Sequence, residues 1–281
     1  MASRRFIQCD VFTTTPTKGN GLAVVVDCEG LSDAQMQSFA AWTNLAETTF
    51  LLPATNPAAD YKLRIFTPGR EMLFAGHPTL GSCAAWLKTG GVSAEPGLVR
   101  QECGIGIVEI DLTGAVPAFA APATKVEPMA DAEFKRITAA LGLSHDQVIR
   151  SAQLTNGPVW QLLELTSAQA ALNVNENQVL WPEFVGVAVM GAYHANAPFD
   201  FEVRNISPSS GMSEDPITGS LNAAIAQWMR QDGRLTQDLL MSQGTKMGRE
   251  GRVFIQPDRR EIEKVWVGGH TQMMIEGILI F

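Results

Sequence analysis

Two short segments of this chain share one pattern. His77-Pro78-Thr79-Leu80-Gly81-Ser82 and Asp215-Pro216-Ile217-Thr218-Gly219-Ser220 both read polar-Pro-x-x-Gly-Ser, 138 positions apart in a sequence of 281. Each leads into an uncharged, Ala-rich stretch, and proline is favoured in the first turn of a helix, so helices are predicted over 78–89 and 216–231. The first turn of a helix carries N–H groups without intrahelical partners and partial positive charge, which together capture carboxylates or phosphates. Taken singly, His-Pro or Asp-Pro at a helix start is ordinary capping. As a pair at half-length offset, they predict two equivalent helix starts facing one cleft and holding a small anion from both sides. Gly81 and Gly219 each cost about 1 kcal/mol relative to Ala in a helix, which close approach of a ligand or a second backbone would account for.

Proton transfer needs a further group. Glu47 stands between a helix ending near Asn44 and the strand-like run Thr48–Leu52, a place where its carboxylate would sit at a strand mouth. An isolated Glu is more often a solvated surface residue, and its type and position leave both readings open.

The elements that must hold these residues alternate between strand and helix character. Phe6–Thr13 and Leu22–Val26 read as strands flanking the loop Thr17-Lys18-Gly19-Asn20-Gly21. Ser32 with Gln35 forms a capping box ahead of Met36, Phe39, Ala40 and Trp42 at helical spacing. Strands follow at 48–52, 61–66, 98–102 and 105–112. The helices at 78–89 and 216–231 lack a charged face, which marks them as buried on all sides. Residues 114–129, rich in Ala and Pro, read as the crossing between halves. Beyond it come a helix at 131–141 and strands near 148–154, 158–165, 185–190, 201–206, 239–242, 252–256, 263–267 and 273–281. The predicted class is α+β, pseudo-duplicated into two domains at 1–118 and 119–281. Each is a curved sheet or barrel around one central helix, and the domain to which the last strand belongs is left open.

Composition narrows the partners. Lys and Arg number 21 against 29 Asp and Glu, a net charge of −8 without a long basic run, which argues against nucleic acid or an anionic membrane and for a small molecule. No window approaches about 18 uncharged apolar residues, and the four cysteines show no CxxC spacing, so a cytoplasmic protein with reduced thiols is expected. His77, His145, His194 and His270 are widely separated, and no metal site is expected. Gly104-Ile105-Gly106 breaks the dinucleotide fingerprint and reads as a turn. Gly211-Met212-Ser213-Glu214-Asp215 fails the nucleophile-elbow pattern at its last position. Cys83 reads as an inert buried thiol, and Trp42, Trp86 and Trp228 read as core.

The segments Asn44-Leu45-Ala46-Glu47-Thr48-Thr49-Phe50, Phe74-Ala75-Gly76-His77-Pro78-Thr79-Leu80-Gly81 and Glu214-Asp215-Pro216-Ile217-Thr218-Gly219-Ser220 resemble the PhzF-like phenazine-biosynthesis isomerase family. So do Gln8–Thr13 with Gly19-Asn20, and Gln243-Gly244 with Gly248-Arg249. The resemblance spans essentially the whole chain. It implies a diaminopimelate-epimerase-like fold and a cofactor-independent, commonly dimeric isomerase in which Glu47 carries the proton. It further implies that His77 and Asp215 border the substrate, while Gly76, Gly219, Ser220 and Asn20 bind it. Ala46 departs from the family pattern, where Ser is often found.

Inverting a stereocentre by deprotonation needs one base on each face, and the related epimerases and racemases use two cysteines. Here Ala75 stands where the first is expected, and the segment around Asp215 offers no second. The reaction favoured is a one-base proton shift in a small, anionic, amino-acid-like substrate with a double bond conjugated to the leaving C–H. Burial would raise the Glu47 pKa from about 4.3 towards roughly 6 to 7. Asp215 would cooperate, since two close carboxylates do not easily both ionise, and His77 would donate to the substrate carboxylate or orient the pair. A racemase or epimerase pairing Glu47 with a second base, and a non-catalytic anion-binding protein on the same fold, are the alternatives.

Overall fold

A computed structural model describes residues 3–176, 186–206 and 213–280. Val185, Gly211, Met212 and Phe281, which enter the sequence reading above, lie outside the described residues. The chain divides into two compact units, one of residues 1–120 and 267–281, the other of residues 121–266. Among the described residues no helix is long and apolar enough to cross a membrane.

The first unit contains β1 (Ser3–Val11), β2 (Asn20–Val25), α1 (Asp33–Thr43), β3 (Glu47–Leu52), β4 (Tyr61–Phe66), β5 (Glu71–Met72), α2 (Gly76–Lys88), β6 (Leu98–Cys103), β7 (Gly106–Asp111) and β8 (Ala118–Ala120). The second contains β9 (Lys125–Glu127), α3 (Asp131–Leu141), β10 (Val148–Thr155), β11 (Val159–Leu165), α4 (Ala168–Asn173), β12 (Gly186–Ala192), β13 (Phe201–Ile206), α5 (Gly219–Gln231), β14 (Leu239–Gln243) and β15 (Gly251–Pro257). β16 (Val265–Gly268) spans the division in the chain, and β17 (Thr271–Ile280) closes the first unit.

Strand pairing shows the duplication. In the first unit β17–β1–β2 are antiparallel neighbours, β2–β3 are parallel, β3–β4 antiparallel, β4–β6 parallel and β6–β7 antiparallel. The second unit repeats this succession through β9–β10–β11, β11–β12, β12–β13, β13–β14 and β14–β15. In both, a longer helix, α2 or α5, joins the two strands of the second parallel pair. α2 touches β1, β2, β3, β4, β6, β8 and β17, so the sheet of its unit curves around it. α5 is buried at every position from Gly219 to Met229.

α1 begins with the capping box expected: Gln35 N donates to Ser32 Oγ, and Ser32 N donates to Gln35 Oε1. It lays Met36, Phe39 and Ala40 against Phe50 and Phe66. Trp42, expected in the core, is instead 79% exposed and stacks on Phe39. At 100° per residue it falls about 60° beyond the arc shared by Met36, Phe39 and Ala40. Trp228 is buried and Trp86 half-buried.

Both central helices start away from their predicted ends. α2 begins at Gly76, two residues earlier, with extended Ala75 as its cap. Pro78 is tolerated as the third residue because its missing N–H belongs to the unpartnered first turn. α5 begins only at Gly219, because residues 215–218 are held outside the helix: Asp215 N donates to Asn205 O on β13, and Thr218 N donates to the Gln243 side chain. The reason for Gly81 also differs from the expectation. A Cβ there would stand 2.5 Å from Leu22 Cδ2 and 2.9 Å from Val11 Cγ2, so strand side chains, not a ligand or backbone, demand glycine.

Candidate active site

In the first unit the site is assembled from the starts of three elements. α1 ends at Asn44, which adopts the left-handed conformation with φ 54°, and three residues later Glu47 opens β3. Parallel pairing with β2 sets Glu47 opposite Leu22. Asn20 opens β2 and is delivered by the 12–19 loop, whose end is pinned where Gly19 N donates to the buried Asp10 carboxylate at 3.0 Å. Only glycine fits at 19, because a Cβ would lie 2.4 Å from Val11 O. His77 is the second residue of α2.

These elements bring three of the expected residues together. His77 Nε2 lies 3.4 Å from Glu47 Oε2, with side-chain exposures of 4% and 16%. On its other side Asn20 Nδ2 lies 3.3 Å from His77 Nδ1. Burial lowers the His77 pKa to about 3, so the ring is neutral and the approach to Glu47 is not an ion pair. With the Asn20 amide donating to Nδ1, the ring proton sits on Nε2, facing Glu47. That nitrogen is buried and makes no hydrogen bond of normal geometry, leaving a donor ready for a bound molecule.

Gly76 lies at the buried start of the same helix. The first backbone bond of α2 runs from Thr79 N to Ala75 O, so the amides of Gly76 and His77 precede the intrahelical ladder. Ala75 supplies no side-chain cap. A buried, uncapped helix start favours an anion.

The other expected residues, Asp215, Gly219 and Ser220, lie in the second unit. There the first α5 backbone bond is Asn222 N to Thr218 O, and the amides of Gly219 and Ser220 precede it. The Thr218 side chain does not cap the helix. Its hydroxyl instead donates to Asp215 Oδ2 at 2.5 Å. The segment before Asp215 is anchored by Arg204, fully buried on β13. Its Nε and Nη2 donate to both oxygens of Glu214 at 3.0 and 2.8 Å, and it also bonds Glu176 and the carbonyls of Ala171 and Val174.

Sequence reasoning missed Arg204, Asn205, Thr218 as an Asp215 partner, and Gln243 as a side-chain anchor. Gln243 and Thr218 left a signal as members of the Gln243-Gly244 and Glu214–Ser220 motifs, while Arg204 and Asn205 left none. Cys83 is buried, and burial raises its thiol pKa to about 12, as an inert core thiol requires. Gly104 and Gly106 flank the β6–β7 turn, Gly106 with φ 105°. Among the described residues no group of three His, Cys, Asp or Glu side chains could hold a metal ion.

The family model described as phenazine biosynthesis-like protein matches residues 9–277. A protein of Mesorhizobium japonicum named an uncharacterized isomerase is 34% identical, with 99% of each chain covered. The trans-2,3-dihydro-3-hydroxyanthranilate isomerase of Pseudomonas aeruginosa is 31% identical over 97% of this chain and 98% of its own. Among solved structures, a PhzF-family phenazine biosynthesis protein of Bacillus anthracis covers all of both chains with a TM-score of 0.81 at 21% identity. A hydroxyproline epimerase of Agrobacterium vitis shares the fold with a TM-score of 0.66 at 12% identity, covering 99% of this chain and 92% of its own. The α+β fold is thus common to both solved structures, and the chain belongs to the phenazine biosynthesis-like protein family.

Proposed function

We propose that this protein is a cofactor-independent isomerase that moves a proton between two carbons of a small, anionic, amino-acid-like unsaturated substrate, with Glu47 as the single base and acid. The observation that carries the reading is the Glu47–His77–Asn20 array, in which a half-buried carboxylate faces a buried, neutral imidazole at an uncapped helix start. The family relationship supports it, since the Pseudomonas aeruginosa relative is named for isomerising an unsaturated ring that bears a carboxylate and an amine.

In the reaction Glu47 takes the proton from the activated C–H, and the released electron pair shifts through the conjugated double bond. The protonated Glu47 then returns that proton to the far carbon of the system, so no atom or electron is gained or lost. His77 Nε2–H donates to a substrate oxygen on which negative charge builds, and Asn20 keeps the ring in that tautomer. The amides at the start of α2 take the substrate's anionic group. Ala75 stands where the first thiol of a two-thiol racemase is expected and the Glu214-Asp215-Pro216 segment offers no second, which favours one-base isomerisation over racemisation. We further propose that the working form is a homodimer.

The test compares wild type and Glu47→Gln on trans-2,3-dihydro-3-hydroxyanthranilate and related conjugated cyclic amino acids, following isomer formation by NMR. General acid–base catalysis contributes about 10²- to 10⁴-fold, and a loss of that order is expected. Full turnover by Glu47→Gln would overturn the assignment.

A further inference from the structure

Tyr61 opens β4, and Gln101 on β6 is its partner in the parallel register. Both side chains are buried, Gln101 completely. Tyr61 OH lies 2.9 Å from Gln101 Oε1, Gln101 Nε2 lies 3.1 Å from the buried Thr79 Oγ1, and Thr79 Oγ1 lies 2.9 Å from Ala75 O. The last of these groups fixes the direction of every hydrogen. A backbone carbonyl can only accept, so the Thr79 hydroxyl gives its hydrogen to Ala75 O and accepts from Gln101. That turns the amide nitrogen of Gln101 towards Thr79 and its oxygen towards Tyr61, which therefore donates. Burial pushes the Tyr61 phenol well above its ordinary pKa, so that hydrogen stays in place.

A helical threonine often bonds the carbonyl four residues back, as Thr89 and Thr138 do with Ala85 and Phe134. Of these three hydroxyls, only that of Thr79 also accepts from a buried side-chain amide. Ala75 O belongs to the cap residue of α2 and accepts from Thr79 N at 3.2 Å as well. The Ala75–Gly76 peptide is trans, and in a planar trans peptide the C=O and N–H point in opposite directions. Two bonds that draw Ala75 O along the helix thus aim the Gly76 N–H out of its start, where His77 is the next residue.

We propose that Tyr61, Gln101 and Thr79 are positioning residues: their one-way relay of hydrogen bonds holds the Ala75–Gly76 peptide with its N–H towards the bound anion, so that the site selects a carboxylate over a neutral group. This rests on the isomerase reading above and deepens it. A peptide free to turn over would present its carbonyl instead, and the negative end of that dipole repels an anion.

The test measures calorimetric affinity for 3-hydroxyanthranilate, a stable aromatic stand-in for the substrate class, and for its neutral carboxamide, which differs only at the anionic group. Wild type is expected to prefer the carboxylate by at least about tenfold, a preference of the size found where a site is built to pair one polar group. Thr79→Val and Gln101→Met should each cut the ratio roughly three- to tenfold, the net worth of one hydrogen bond, and Thr79→Ser should restore it. A merely structural role would lower melting temperature or weaken both ligands equally, leaving the ratio unchanged. Equal wild-type affinity for the two ligands, an undiminished ratio in Thr79→Val or Gln101→Met, or a fall that Thr79→Ser does not restore overturns this inference alone. Failure of wild type to bind either ligand overturns the isomerase reading with it. Should Gln101→Met fail to fold, Gln101→Asn, whose shorter amide withdraws from Thr79 while staying polar, takes its place with the same fall expected.

Discussion

His77 shows how one residue can be chemically specified by its surroundings. Its ring is buried and neutral, burial having lowered its pKa to about 3 from the ordinary 6.5. The unfolded chain therefore binds more protons than the native one between these values, so stability must fall as pH drops from about 6.5 towards 3. Above pH 6.5 the residue imposes no such penalty. Chemical unfolding at a series of pH values should show this acid loss in wild type and a shallower slope in His77→Gln, the difference amounting to a few kcal/mol near pH 3. Residue types were readable in the sequence at this scale: His77, Glu47 and Asn20 were all singled out, and the structure groups them within 3.4 Å contacts. Gln243 and Asn205 were not readable as partners of Thr218. They act across 25 and 13 positions of chain on hydroxyl and backbone groups, and local pattern carries no trace of such pairing.

Elements turn those residues into a site through where they begin. Small and apolar residues made both central helices legible, because a helix without a charged face has to be enclosed. Their starts were not legible: proline marks a first turn but does not say which of its positions it fills, and tertiary hydrogen bonds hold residues 215–218 out of α5. Arg204 is the anchor of that segment. Replacing it with Met would leave Glu214 buried and uncompensated, at a cost of about 3–5 kcal/mol. Urea unfolding should report that loss for Arg204→Met and a smaller one for Arg204→Met combined with Glu214→Gln. The Arg204–Glu214 pair itself escaped the sequence reading, since nothing in an alternating strand distinguishes a fully buried arginine from one at the surface.

At the scale of the whole molecule, the repeat of polar-Pro-x-x-Gly-Ser at half-length foretold a repeat of pairing order that the strands of both units display. The final strand carries a second message. Ile278 and Ile280 on β17, two positions apart and so on one face of the strand, are 64% and 70% exposed, an apolar pair on which the proposed homodimer can be tested. Sedimentation of wild type should give the mass of two chains, and Ile278→Lys with Ile280→Lys that of one; a monomeric wild type would contradict the dimer. The central claim, that one carboxyl group lifts a proton from one carbon and sets the same proton on another, is tested most directly with a substrate deuterated at the leaving C–H. Single-turnover reaction in ordinary water, followed by mass spectrometry and NMR of the product, should find a measurable share of the deuterium at the receiving carbon and none transferred by Glu47→Gln. Product formed at full rate with every such deuterium lost to solvent, in wild type and variant alike, would contradict it.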